Sequence, residues 1–241
     1  MRHIPTPVSK KEVRILVTCE HGGNRIPVRY RPLFEKSTSV LDTHRGFDAG
    51  ALRFAHELAK AADAFLVTAI TSRLLVELNR SIGNPRLFSE FTHDLPAADK
   101  KEILRRYYRP YRNEVENFIR EAISQGSRVL HLSSHSFTPE LDGKVRDADL
   151  GLLYDPQRAA ETEFCRVWKE MLESHAPELK VRFNYPYRGT SDGLATWLRT
   201  RFPAEVYAGI EIEVNQAHVR AGRAHWDTMR STLIGSLPRT G

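Results

Sequence analysis

A chain of 241 residues with 41% hydrophobic content is long enough to bury about 70 to 75% of the surface its unfolded form exposes, so it needs no disulfide scaffold to hold a core. Two cysteines, Cys19 and Cys165, with no apolar leader ahead of them, lead us to expect a reduced, cytoplasmic protein, and no uninterrupted apolar run reaches the roughly 18 residues that a membrane span needs. The net charge of +6 is dispersed: in the densest basic stretch, residues 100–121, Arg105, Arg106, Arg109, Arg112 and Arg120 alternate with Glu102, Glu114, Glu116 and Glu121, which reads as a solvated helix face rather than a nucleic-acid surface and suits a small anionic substrate.

In chain order, residues 13–18 (VRILVT) read as a buried strand, 49–62 as an Ala-rich helix and 65–70 (FLVTAI) as the next strand. An amphipathic helix fits 99–124, stopped by Gly126. Residues 128–133 (RVLHLS) form a strand, and 157–174 a helix whose Phe164, Val167, Trp168, Met171 and Leu172 recur at helical spacing as a core stripe. A short strand at 180–184, a helix at 191–201, a strand at 206–214 and a helix at 218–235 complete the pattern. Alternation of β and helical segments predicts an α/β fold with helices on both faces of the sheet, in one domain covering residues 1–241. The connections 22–47, 81–97 and 136–156 are long for a compact domain, as functional loops often are.

Three strands run into polar residues, and in open α/β sheets sites form just beyond the carboxyl ends of the strands. The first strand ends in Cys19-Glu20-His21-Gly22-Gly23-Asn24, the strand at 128 in Ser133-Ser134-His135-Ser136-Phe137, and the strand at 206 carries Glu211, Glu213, Asn215 and Gln216. A catalytic zinc takes three protein ligands from His, Asp or Glu and keeps one position for water. His21 and His135 supply two, and Asp48 is a candidate third, with a helix cap as its alternative reading. His44 is a rival ligand, and His131 reads as a core histidine or a partner behind the ligands. His3, His56, His93, His175, His218 and His225 have no neighbouring constellation. Glu211 and Glu213 share one face of their strand, and either fits the carboxylate that moves a proton from water to a leaving amine. There is no Gly-x-Ser-x-Gly elbow and no phosphate-binding glycine loop, which argues against serine-hydrolase and nucleotide chemistry.

Five segments, in order, give the chain a resemblance to the N-formylglutamate amidohydrolase family: Glu20-His21-Gly22-Gly23-Asn24-Arg25-Ile26-Pro27, Arg45-Gly46-Phe47-Asp48-Ala49-Gly50-Ala51, Ser72-Arg73-Leu74-Leu75-Val76-Glu77-Leu78-Asn79-Arg80, Ser134-His135-Ser136-Phe137 and Ile212-Glu213-Val214-Asn215-Gln216. The resemblance implies a phosphorylase/hydrolase-like, zinc carboxypeptidase-like fold with a mixed sheet between helices. It implies His21, Asp48 and His135 as ligands of zinc or another divalent metal. It also favours Glu213 as the general base because Gln216 keeps the family spacing, with Glu211 as the alternative. Arg73, Arg80 and Arg188 are candidates for substrate carboxylates, since a guanidinium offers planar, bidentate donors, with ion pairing to Glu77, four residues from Arg73 and three from Arg80, as the alternative for those two; Asn24 is grouped with them. Asn215 stands where the family often has arginine, so a substrate-side cation is either missing or supplied from elsewhere in the chain. The implied activity is hydrolysis of the amide of a small anionic N-acyl amino acid. The rivals are a deacylating or carboxypeptidase-like enzyme acting on another N-acyl amino acid or a cell-wall fragment, and a basic binding protein without turnover.

Overall fold

In the computed structural model, which describes residues 12–239, the first strand β1 (Val13–Cys19) lies one place in from the edge of the sheet. A 3-10 segment, Val28–Asp42, fills most of the first long connection and leads to α1 (Ala51–Ala61) and β2 (Phe65–Thr68). The expected helix at 99–124 is present but not uniform: α2 (Ala97–Ile103) passes through a π-helical turn at Leu104–Tyr108 into α3 (Arg109–Ser124). Pro110 has no N–H to donate to the preceding turn, so the ladder is interrupted where the helix widens.

The next strand, β3 (Arg128–Phe137), is longer than expected and includes His135 itself, so the Ser134–Phe137 segment is strand rather than the loop beyond it. The connection at 136–156 also holds more structure than its sequence suggests. It contains a hairpin, β4 (Glu140–Leu141) with β5 (Lys144–Val145), and β6 (Leu150–Leu153). Four residues of β6 are too few to show a period. The remaining elements are α4 (Ala159–His175), β7 (Val181–Phe183), α5 (Leu194–Arg199) and β8 (Tyr207–Asn215). The expected last helix is split into α6 (Gln216–Arg220) and α7 (Arg223–Gly235) by Gly222, whose φ of +102° favours glycine.

The sheet order is β2-β1-β3-β8-β6-β7, parallel throughout except where β6 runs antiparallel to β8. This is the mixed sheet between helices that the resemblance implies. Side-chain alternation divides it into two layers. Val17, Leu130, Leu132, Ile210, Ile212 and Val214 pack with Phe54 and Leu58 of α1, Trp168 and Leu172 of α4 and Leu233 of α7. Within the α4 stripe, Trp168 and Leu172 are buried while Phe164, Val167 and Met171 flank them. On the other face Leu16, Val129 and Tyr207 meet Val115 and Ile119 of α3 and Leu194 and Leu198 of α5. Each such buried side chain contributes about 1.5 to 3 kcal/mol.

The same alternation gives the second face a polar half. Thr18 pairs with Ser133, Ser133 with Glu211 and His135 with Glu213 across neighbouring parallel strands. The carboxyl ends of β1, β3 and β8 therefore bring their polar residues to one place.

Candidate active site

His21, Asp48 and His135 converge: each offers one ligand atom, and these atoms lie within 4.8 Å of one another. Asp48 Oδ2 is 3.2 Å from Nδ1 of His21 and 3.0 Å from Nδ1 of His135. Asp48 is not the cap of α1, which has Gly50 at that position and no side-chain cap hydrogen bond. Its second oxygen accepts from Arg73 Nη1 at 3.1 Å. All three donors are buried. His44 is exposed and stands outside this group.

Behind the donors stand two carboxylates whose role cannot be read from spacing. Glu77 accepts from His21 Nε2, and Glu20 lies 3.0 Å from His135 Nε2. Burial works against charge on both, yet each is held well below the usual carboxylate range, Glu20 by His135 and Ser133 and Glu77 by Arg73 and His21. The histidines show the converse. Burial pushes each down, but Asp48 with Glu77 at His21, and Asp48 with Glu20 at His135, raise the net value.

A charge count tests whether the residues suit a cation. Glu20, Glu77 and Asp48 bring three negative charges and Arg73 one positive, so with neutral imidazoles the cluster carries two uncompensated negative charges in a buried place. One divalent ion balances them, as do two protons on the imidazoles, and buried charge needs one or the other. The donor set of two nitrogens and a carboxylate is that of a catalytic zinc site.

A cavity of about 570 Å³ opens over this centre, lined by His21, Asp48 and His135 together with Glu211, Glu213, Arg80, Arg86 and Arg188. Glu213 is buried, and its Oε2 has no hydrogen-bond partner among the described residues. Burial pushes its pKa up to about 8, with Asp48 and Glu211 adding to the rise against His135 and Arg73. Glu211 is instead tied to Asn79 Nδ2 at 3.2 Å. Room beside Glu213 comes from Gly151 on β6. A Cβ there would meet the Tyr185 carbonyl oxygen at 1.8 Å and Glu213 Cβ at 3.3 Å.

The four candidates for substrate contact divide. Arg73 is held by two carboxylates, its Nε donating to Glu77 at 2.7 Å. Arg80 donates to the Asp192 carbonyl, within a latch where Asp192 also accepts from Ser81 N at 3.1 Å and Asn84 Nδ2 at 2.6 Å. Arg188 is exposed at the cavity and makes no ion pair among the described residues. Asn24 lies outside the cavity lining and donates to Asp42 at 2.8 Å. Its place in the first segment suggested a site role, but the chain turns away at Gly22 and Gly23, where the backbone packs against Ala69 and Ile70. Sequence reasoning missed Arg86, a second exposed cation of the cavity, for which no motif gave a signal.

Other histidines separate cleanly. His131 is a buried core residue between Thr18 Oγ1, at 2.8 Å, and the Tyr207 hydroxyl, at 2.7 Å. His218 and His225 do have a neighbour set, an Asp149–His218–His225 string with contacts of 2.9 and 2.8 Å, away from the cavity lining. His3 lies outside the described residues.

Fold and site together define an α/β protein with a three-donor, metal-type centre beyond the carboxyl ends of its parallel strands. The sequence profile described as N-formylglutamate amidohydrolase matches residues 13–219. The chain belongs to the N-formylglutamate amidohydrolase family and is an amidohydrolase-like hydrolase. Among solved structures it is similar to gene product Atu2144 from Agrobacterium tumefaciens, at 26% identity over 94% of this chain and 90% of that one, with a TM-score of 0.80. It is similar in fold to an N-formylglutamate amidohydrolase from Ralstonia eutropha JMP134, at 18% identity over 95% and 93% of the two chains, with a TM-score of 0.65. Among curated proteins nothing matches. No helix of the described residues is long and apolar enough to cross a membrane.

Proposed function

We propose that the chain is a zinc-dependent amidohydrolase that cleaves the linear amide of a small anionic N-acyl amino acid, with N-formyl as the first acyl group to test. The observation that carries the reading is the convergence of His21 Nδ1, His135 Nδ1 and Asp48 Oδ2 beside a buried carboxyl with one unpaired oxygen, Glu213. Family membership supports the reaction class.

When bound, a divalent ion would supply Lewis-acid polarisation of the amide carbonyl and acidify water. The chain's own residues do the rest. Glu213 takes a proton from the attacking water and returns it to the leaving nitrogen, so that the C–N bond breaks as the carbonyl carbon gains the water oxygen. Products are the free amino acid and the carboxylate of the acyl group. Burial raises the Glu213 pKa in the metal-free protein, and a cation bound beside it would draw that pKa back down, so that the carboxylate is available to take the proton. Arg188 and Arg86 meet the substrate carboxylate at the exposed side of the cavity.

The test is a screen of N-formyl, N-acetyl and N-succinyl amino acids with and without chelator, alongside zinc content. We expect about one zinc per chain, turnover that chelation abolishes, and loss of both in His135→Ala with the circular-dichroism spectrum retained. A protein that purifies without stoichiometric metal and turns over none of these amides would leave the non-enzymatic binding reading standing instead.

A further inference from the structure

The two histidines of the centre present the same nitrogen inward, and each is fixed from behind by a different carboxylate. We infer that Glu20 and Glu77 are positioning residues that set both imidazoles with Nδ1 forward and so build the metal affinity of the centre; this rests on the metal reading above.

The donor and acceptor inventory supports it. A carboxylate only accepts, so a ring nitrogen facing one must carry a hydrogen unless a cation stands between them, as the metal reading has it for the two Nδ1 atoms beside Asp48. Glu77 faces His21 Nε2, which leaves His21 Nδ1 to offer its lone pair beside Asp48. Around His135 the constraint is doubled. Ser133 Oγ gives its one hydrogen to Glu20 Oε2 at 2.7 Å, and so can only accept at His135 Nε2, 2.9 Å away. Glu20 itself lies 3.0 Å from the same nitrogen. His135 Nε2 therefore carries a hydrogen, and Nδ1 is the free ligand atom.

Neither carboxylate is loose. Glu20 is wholly buried, and its other oxygen accepts from the Tyr111 hydroxyl at 2.9 Å. Arg73 links Glu77 to Asp48, with contacts of 2.7 and 3.1 Å, so the support of His21 and the outer oxygen of the third donor form one unit. Partners of this kind typically raise metal affinity about 10- to 100-fold by fixing tautomer and ring orientation.

The experiment measures zinc affinity by competition with a chromophoric chelator for wild type, Glu20→Gln, Glu77→Gln and Tyr111→Phe. It also reads from long-range proton–nitrogen spectra which imidazole nitrogen binds the metal in each. We expect wild type to bind through Nδ1 of both rings, and each Gln variant to lose about 10- to 100-fold in affinity. Tyr111→Phe removes a bond to Glu20 on the side away from His135. It should lower thermal stability while leaving zinc affinity within about threefold, which separates structural support from positioning. Glu77 borders the cavity, so its variant carries the test if Glu20→Gln does not fold. Ligation through Nε2 in wild type, or Gln variants that keep wild-type affinity, would overturn the inference and leave the metal reading intact. A wild-type protein that binds no zinc would sink both.

Discussion

Replacing Glu213 by Gln should separate catalysis from stability, and the separation follows from where the carboxyl sits. In the chelated protein burial holds Glu213 protonated up to about 8, against 4.5 for the free group. The sign is that of a raised acid. Below about 4.5 both folded and unfolded chains hold the proton and nothing is lost. Between about 4.5 and 8 the unfolded chain releases it while the folded chain keeps it, so stability falls as pH rises. At 1.36 kcal/mol per unit, the cost at neutral pH is about 3 kcal/mol, and near pH 5 it is under about 1 kcal/mol. Gln carries no such proton, and its amide meets the same lack of partners at Oε2 as the protonated acid does. The metal-stripped variant should therefore melt roughly 5 to 10 °C above wild type near pH 7, with most of that gain gone near pH 5. The metal-loaded variant should keep its zinc and lose about two to four powers of ten in kcat. Differential scanning calorimetry at the two pH values, with metal analysis and steady-state rates, reads all three. Equal melting differences at both pH values would refute the electrostatic account. Full activity in Glu213→Gln, with none in Glu211→Gln, would move the base to Glu211.

Two further perturbations probe other parts of the molecule. Burial holds His131 neutral down to about 4, so the unfolded chain gains that proton first. Stability is then lost as pH falls from about 6.5 to 4, by up to 1.36 kcal/mol per unit, and urea titrations should show that slope reduced by about one proton in His131→Gln. Arg188→Ala and Arg86→Ala should each raise KM for an anionic substrate about 10- to 100-fold, the worth of a charged hydrogen bond. Because these residues stand at the cavity's exposed side, kcat should change little, and an uncharged amide analogue should lose nothing.

How much of this was legible without coordinates depended on the length over which each signal repeats. The strands at 13, 128 and 206 have enough apolar residues to show themselves, and their order with the intervening helices predicts the α/β layers. β6 was not legible. Its four residues, Leu150–Leu153, read as part of a loop, yet they supply Gly151, which admits the Tyr185 carbonyl beside Glu213. The break between α6 and α7 was lost for a similar reason, because Gly222 interrupts a pattern that still looks helical on both sides. Among site residues, strand ends pointed to His21, His135, Glu211 and Glu213. The contacts of Glu20 and Glu77 were hidden because these carboxylates meet the histidines only across the fold. Glu77 was visible from sequence only as a local partner of Arg73, a contact it does make.

The placement of charge within the cavity then constrains how a substrate enters. Its floor is acidic, with Asp48, Glu77, Glu211 and Glu213, and Arg73 is already committed to two of these. An anionic group driven to that floor would face uncompensated carboxylates unless a cation intervened. Arg80 is turned to the latch at Asp192, whose own charge is met by Ser81 and Asn84. That leaves Arg86 and Arg188, both exposed, as the cavity-lining guanidiniums with neither an ion pair nor a side-chain hydrogen bond among the described residues. With an ion balancing the inner carboxylates, Glu211 and Glu213 still border the floor, so a substrate with a carboxylate at one end and an amide at the other would be favoured with the carboxylate outward and the amide over the histidines. An amide whose only charge is positive would be held the opposite way round, with its reacting carbonyl away from Glu213. On the proposed reading this arrangement would favour anionic amides by the direction in which they bind, an effect read in KM and not in the rate of the correctly bound complex.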